Sequence, residues 1–293
     1  MFSQLSYAND CEQITDNCAK VGEWTFSLAV GAGFYTNPLH GGDDIPLVLI
    51  PQISYYGEKL FFDNNTLGYS FFDNNQIVVS AITQLNHEKA YFTRWHPQNI
   101  LIESVTSGDV ATPSPSEGDQ SAGGPDGDEL NPPEQDVEVN IKDVSNKRWA
   151  IDAGIQFNWF INQTTDLQVQ ILHDVNNVYN GFNGQIELTR IIKIEPLPNT
   201  VMSFSLGTNI NSKNLVDYYY GISQKTEAGV NLDYQGKSSI TPYFRLVLRH
   251  QLSERWQAKL NIKRIFLDDA MTDSPLVKDD YINTIFAGVS YDF

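Results

Sequence analysis

Five histidines and a few charged side chains are the residues of this chain whose types could do chemistry. The histidines are His40, His87, His96, His173 and His250. Hydrolysis or group transfer needs a nucleophile or an activated water beside a base, with a third group to orient that base. None of the five stands in a Ser/His arrangement of that kind. His40 and His96 fall in connecting segments, and His87, His173 and His250 fall near the ends of apolar runs. The expectation is polar structural histidines and no catalytic centre. Cys11 and Cys18 are closely spaced and have no histidine nearby, so they predict a small disulfide loop rather than a zinc site. Asp126, Asp128 and Glu129 offer the oxygen ligands that Ca²⁺ takes, but their spacing misses the EF-hand pattern and prolines interrupt it. They are weak calcium candidates, and a solvated acidic loop is the plainer reading. No cofactor is implied.

The charges are more informative than the histidines. Arg245 and Arg249 lie four residues apart, as do Lys259 and Lys263, so within its strand each pair shares one face. Asp152 and Glu187 are acids on corresponding faces of other segments. Around an enclosed space, such charges form a selectivity field for anionic solutes, or they pair and fill the space. Both outcomes stay open at this level. Tyr218, Tyr219 and Tyr220 form a compact aromatic cluster in a connecting segment. They are candidates for a surface contact, since tyrosine is favoured at interfaces, or for packing within the loop.

The segments that carry these residues alternate. Trp24, Phe26, Leu28, Val30, Ala32 and Phe34 share one face; Thr25, Ser27, Ala29, Gly31 and Gly33 share the other. Trp149, Ile151, Ala153, Ile155, Phe157 and Trp159 oppose Asp152, Gly154, Gln156 and Asn158. Leu167, Val169 and Ile171 oppose Gln168 and Gln170. Phe244, Leu246 and Leu248 oppose Tyr243, Arg245 and Arg249, and Trp256, Ala258, Leu260 and Ile262 oppose Gln257, Lys259, Asn261 and Lys263. A helix would space its apolar residues three and four apart instead. The last strand places Ile285, Ala287, Val289, Tyr291 and Phe293 on one face and stops on the aromatic. This ending is similar to the sorting and assembly signal of outer-membrane barrels, which the barrel assembly machinery reads.

Alternating strands with aromatic ends predict an all-β fold, a single antiparallel transmembrane β-barrel. Short connections near 73–75, 162–164, 196–199 and 252–254 would be periplasmic turns. The long ones at 94–147, 212–238 and 268–281 would be external loops. The expected strands are 23–36, 46–56, 58–63, 66–72, 76–93, 148–161, 166–176, 184–194, 200–211, 239–251, 254–267 and 282–293. That count is about twelve, or ten if the short segments within 58–72 fail to form a hairpin. Residues 1–22 read as a periplasmic segment holding the cysteine loop, and 23–293 as the barrel. The stretch 103–146 is rich in Pro, Ser, Gly and acids, and is expected as an acidic external loop.

Composition agrees. The chain has 293 residues and a formal net charge of -17, which excludes the usual basic nucleic-acid binder. Mean hydropathy is -0.31 with no apolar run of helical-span length, as expected when only alternate residues meet lipid. The expected surroundings are outer-membrane lipid and lipopolysaccharide of a Gram-negative envelope, around a monomeric barrel.

Several ordered stretches resemble the MipA/OmpV family of outer-membrane proteins. They are Val30-Gly31-Ala32-Gly33-Phe34-Tyr35, Gly41-Gly42-Asp43-Asp44 leading through Pro46 to Ser54-Tyr55-Tyr56-Gly57-Glu58-Lys59-Leu60-Phe61-Phe62, and Leu67-Gly68-Tyr69. Further on come Asp217-Tyr218-Tyr219-Tyr220-Gly221-Ile222-Ser223, Asp269-Ala270 with Asp273-Ser274-Pro275-Leu276-Val277, and the terminal Phe286-to-Phe293 run. No single stretch is specific; their order is. The cysteine-bearing start and the insert at 103–146 depart from the pattern. The resemblance implies an outer-membrane barrel with no agreed catalytic activity. In the name-giving member it implies a scaffold joining a lytic transglycosylase to a murein synthase, and in other relatives surface contacts. The function expected is a non-enzymatic scaffold or interaction protein with a murein enzyme or surface protein as partner. The alternative is a narrow channel for small, anionic solutes.

Overall fold

The computed structural model describes residues 21–74, 76–100, 139–194, 196–197, 199–225 and 231–293. Cys11, Cys18, Asp126, Asp128 and Glu129 lie outside the described residues. The wall strands are β1 (Trp24–Tyr35), β2 (Leu49–Tyr56), β3 (Leu60–Asp63), β4 (Thr66–Asp73), β5 (Ile77–Leu85) and β6 (Ile151–Asn162). They continue as β7 (Thr165–Asp174), β8 (Phe182–Lys193), β9 (Thr200–Asn211), β10 (Ser239–Gln251), β11 (Trp256–Phe266) and β12 (Tyr281–Asp292). Each pairs with its sequence neighbour, and β1 pairs with β12, so the sheet closes. A two-residue segment, Ile45–Pro46, prolongs the edge of β2 along β1. Twelve antiparallel strands form the wall, and the ten-strand alternative falls. The short β3 and β4 do pair, Leu60 to Tyr69 through Asp63 to Thr66. Asn64 makes their tight turn at φ 52°, a conformation that asparagine tolerates.

The two faces follow the alternation. Trp24, Phe26, Val30, Ile155, Ile186, Leu188, Leu206 and Val289 stand exposed on the outside, where lipid lies. Ser27, Thr189, Ser203, Ser205, Arg245, Asn261 and Ser290 face inward and are buried. Aromatic rings gather at the turn end of the wall, with Trp24 5.1 Å from Tyr55 and Trp256 5.0 Å from Tyr291. No helix among the described residues is long and apolar enough to cross a membrane; the strands cross instead.

The terminal strand closes the barrel. Leu28 to Tyr35 of β1 run opposite Tyr291 to Thr284 of β12, and the amide of Phe293 donates to the Phe26 carbonyl at 3.0 Å. Ala287, Val289 and Phe293 are exposed on the outer face, with Ile285 and Tyr291 half-buried beside them. The seam is tight because Gly31, Gly33 and Gly288 line its inner side, where the buried Phe286 ring lies against Gly31 and Gly288. A Cβ on Gly33 would sit 2.1 Å from the Ile285 carbonyl oxygen.

Two sequence expectations need correction. The strand expected over 76–93 ends at Leu85. Asn86 caps a 3-10 helix, His87–Tyr91, by accepting from the Glu88 amide, and this turns the chain inward. The segment 212–238 is not an open loop. It holds an α-helix, Lys213–Tyr220, and a hairpin of Ile222–Lys225 with Asn231–Tyr234.

Gly33→Val is expected to block closure of the β1–β12 seam, whereas Ala32→Val, on the lipid side, is tolerated. The check is the gel-mobility shift between heated and unheated protein, which Gly33→Val loses and Ala32→Val keeps.

Candidate functional site

The external mouth is covered. Label the helices α1 (Pro97–Ile100), α2 (Lys213–Tyr220) and α3 (Asp269–Thr272). Leu215, Val216, Tyr219 and Tyr220 of α2 are fully buried. They pack with Leu39, Val139, Val178, Met271, Leu276 and Val277, which come from four other loops. Backbone bonds tie the loops together: His40 amide to Leu276 carbonyl at 2.8 Å, Val139 amide to Pro275 carbonyl at 2.9 Å, and Ile141 amide to His40 carbonyl at 2.9 Å. The Ser274 hydroxyl donates to the Tyr220 carbonyl at 2.6 Å. The Lys147 ammonium donates to the Tyr218 carbonyl at 2.6 Å and lies over the Tyr218 ring. The tyrosine cluster is therefore a correction to the surface-contact reading. Tyr219 and Tyr220 form the centre of a cap, and Tyr218 is half-buried against it. The helical spacing of Leu215, Val216, Tyr219 and Tyr220 aims one face of α2 inward.

Below the cap the inward charges are braced in pairs. Arg245 of β10 forms a buried ion pair with Glu187 of β8, and the Tyr243 hydroxyl donates to the same carboxylate at 2.7 Å. The intervening strand β9 permits this reach. Its inward Ser205 and Gly207 are small, and a Cβ on Gly207 would lie 2.4 Å from the Tyr243 ring. Lys259 of β11 reaches over β12 and β1 to the Gln52 side-chain oxygen at 2.9 Å. Lys263 stands over the Tyr243 ring at 4.7 Å. Register sets Arg245 opposite Lys263 and Arg249 opposite Lys259, so like charges face each other in a basic ladder. Such pairs destabilise a sheet unless acceptors intervene, and Glu187, the Tyr243 ring and Gln52 intervene.

Asp152 organises the upper rim. Fully buried, it accepts from the Tyr179 hydroxyl at 2.6 Å, Asn86 at 2.6 Å and Asn183 at 2.7 Å. Next to it, Asp174 gathers the backbone amides of Asn176, Tyr179 and Asn180 at 2.7–3.1 Å and shapes the loop after β7.

Between the cap and the Arg245–Glu187 brace lies a polar chamber. Glu88, Tyr91 and Leu215 contribute from the cap, and Gln84, Gln185, Asn209 and Asn261 from the wall. Glu88 accepts from the Tyr220 hydroxyl at 2.5 Å. Burial pushes its carboxyl up to about 7, while that hydrogen bond pulls it down. Burial also lowers His96 to about 3, so this imidazole, stacked on Trp149 at 5.0 Å, is neutral. His173 packs edge-on to Phe182 at 4.5 Å, and His250 pairs with the Thr200 hydroxyl at 2.7 Å. Among the described residues there is no cluster of three or more metal-ligating side chains.

Of the six charges singled out in the sequence, Asp152, Glu187 and Arg245 are buried and Lys263 borders the chamber. The sequence reading missed Glu88 and Asn86, which an over-long strand concealed, and Asn99, which lay in a segment read as a loop. The signal was present in Asn86, a cap residue followed by charged His-Glu-Lys.

Taken together, an outward apolar belt, a closed twelve-strand wall and a braced polar lumen define an outer-membrane β-barrel. The chain belongs to the family described as MltA-interacting protein MipA, whose model matches residues 28–293. It is 23% identical over 282 residues to the MltA-interacting protein of Escherichia coli K12, covering 92% of this chain and 91% of that protein. It is 20% identical over 272 residues to the outer membrane protein Omp26La of Vibrio anguillarum, covering 93% and 87%. Among solved structures, an outer membrane channel from Pseudomonas putida F1 is similar with a TM-score of 0.41 and 11% identity, covering 95% of this chain and 98% of that one. The protein is an outer-membrane protein of the Gram-negative envelope.

Two outcomes are expected from this geometry. Arg245→Met strands the Glu187 carboxylate and costs about 3–5 kcal/mol. The double substitution with Glu187→Met costs less than either single change, as measured by urea unfolding of the barrel. For Glu88, the folded state holds the proton more tightly than the unfolded chain, where the ordinary value is 4.5. The stabilisation of the closed cap is full below that value and is lost as pH rises through about 7. Protease cutting of the cap loops should therefore rise between about pH 5 and about pH 8, and Glu88→Gln should flatten the profile.

Proposed function

We propose that this protein is a non-enzymatic interaction protein of the outer membrane, and that its partner is a murein enzyme held at the periplasmic face. The observation that carries the reading is the seating of Tyr219 and Tyr220, both fully buried, in a packed cap over the lumen. A barrel devoted to flow keeps its mouth open, whereas this one places a hydrophobic core there. The paired Arg245 and Glu187 and the Lys259–Gln52 bond narrow the lumen further. The name of the Escherichia coli relative, MltA-interacting protein, supports an interaction role and suggests the class of partner. The surroundings of the histidines support the non-catalytic part. His173 meets a phenyl ring and His250 a threonine hydroxyl, with no Ser/acid arrangement beside either among the described residues.

A narrow channel for small, anionic solutes is the second reading. The basic ladder of Arg245, Arg249, Lys259 and Lys263 and the chamber beneath the cap favour it.

Planar-bilayer recording of the purified protein separates the two. A folded barrel that is silent, but opens on Tyr219→Ala, supports the capped interaction protein, and co-sedimentation with a purified lytic transglycosylase supports the partner. Steady ion-selective openings in the unaltered protein, abolished when the four cations are neutralised, would establish the channel and overturn the reading.

A further inference from the structure

We propose that the chamber beneath the cap binds a small, neutral, polyhydroxylated solute. Three observations carry this. The first is the lining. Gln84, Asn183, Gln185, Asn209, Asn211 and Asn261 turn carboxamides toward one space. Gln84, Asn183 and Gln185 already hold wall partners in His87, Asp152 and Tyr243, and carboxamides such as those of Asn209 and Asn261 can present both a donor and an acceptor, which matches hydroxyl groups that do the same.

The second is a pair of buried acceptors. Asn261 is 8% exposed and Asn99 is 4% exposed, and both line the chamber. The Oδ1 of each accepts no hydrogen bond among the described residues. The Nδ2 of Asn99 is by contrast fully used, donating to the Ala90 and Thr93 carbonyls at 2.9 and 3.0 Å. A buried acceptor without a donor is costly, and native structures leave few of them. Hydroxyl groups supply the missing donors. Sulfate and ionised carboxylates do not, because they only accept.

The third is charge and shape. Arg245 is engaged by Glu187, and Lys263 lies over the Tyr243 ring, so both cations of the chamber wall already face an acid or a ring. Tyr35 and Tyr91, stacked at 6.1 Å and 17°, border the same space. Their apolar ring surfaces suit the C–H faces of a sugar ring. The site lies within the barrel, so it stands apart from any partner at the periplasmic rim and from the conductance result.

The test is isothermal titration of the full-length protein in detergent with sucrose and trehalose, with glucuronate and glucosamine as charged comparators. The expected result is saturable binding of a neutral disaccharide, weakened at least about tenfold by Asn261→Leu and by Asn209→Leu. Heat-modifiability confirms that each variant is folded. The absence of saturable heat from both disaccharides would overturn the proposal. So would binding unchanged in both folded variants, or tighter binding of either charged comparator.

Discussion

Everything in this molecule depends on one constraint: a backbone that crosses hydrocarbon must satisfy its own hydrogen bonds. A sheet meets that constraint only when it has no edge, so the bonds between β1 and β12 matter more than any others in the wall. They explain why the last residues of the chain are so strictly patterned. The outer side must be apolar for lipid, and the inner side must be small enough for the two end strands to approach. Gly31 and Gly33 stand opposite Gly288 and Phe286, and there is no room at Gly33 for a side chain. Once the seam is closed, alternation fixes every other inward residue.

Closure creates a second problem, because it gathers polar side chains in a confined space. Basic residues at 245, 249, 259 and 263 would repel one another across β10 and β11. The fold relieves this by letting long side chains cross over strands with small inward residues. Arg245 and Tyr243 pass over Ser205 and Gly207 to reach Glu187, and Lys259 passes over β12 and β1 to reach Gln52. The small residues of the wall are therefore as much a part of each brace as the charged partners are.

This is where the sequence becomes hard to read. Period-2 alternation reports which face a residue occupies, and it placed Arg245, Glu187 and Asp152 inward. It does not report which strands lie within reach across a curved wall, so it left pairing and field as equal outcomes. The hairpin of β3 and β4 was counted among the twelve strands, with ten as the alternative because its strands are short. Glu88 was missed for a different reason. His87, Lys89 and Tyr91 continue the alternation of β5 for several residues after Asn86 has ended the strand. For the tyrosine cluster the sequence left surface contact and packing within the loop both open. The spacing of Leu215, Val216, Tyr219 and Tyr220 was a helical signal within a chain otherwise read for strands.

The two closures of the lumen differ in kind, and this decides which of them governs access. The braces are electrostatic, and they stand in a chamber lined by carboxamides that water can solvate. The cap is a hydrophobic core assembled from five loops, with Tyr219, Tyr220 and Leu215 excluded from solvent. Neutralising a brace changes charge in a polar space. Loosening the cap exposes apolar surface, which the hydrophobic effect opposes. The cap is thus the stronger barrier at the external face, and Glu88, hydrogen-bonded to Tyr220 from the chamber side, is the point where lumen chemistry reaches it.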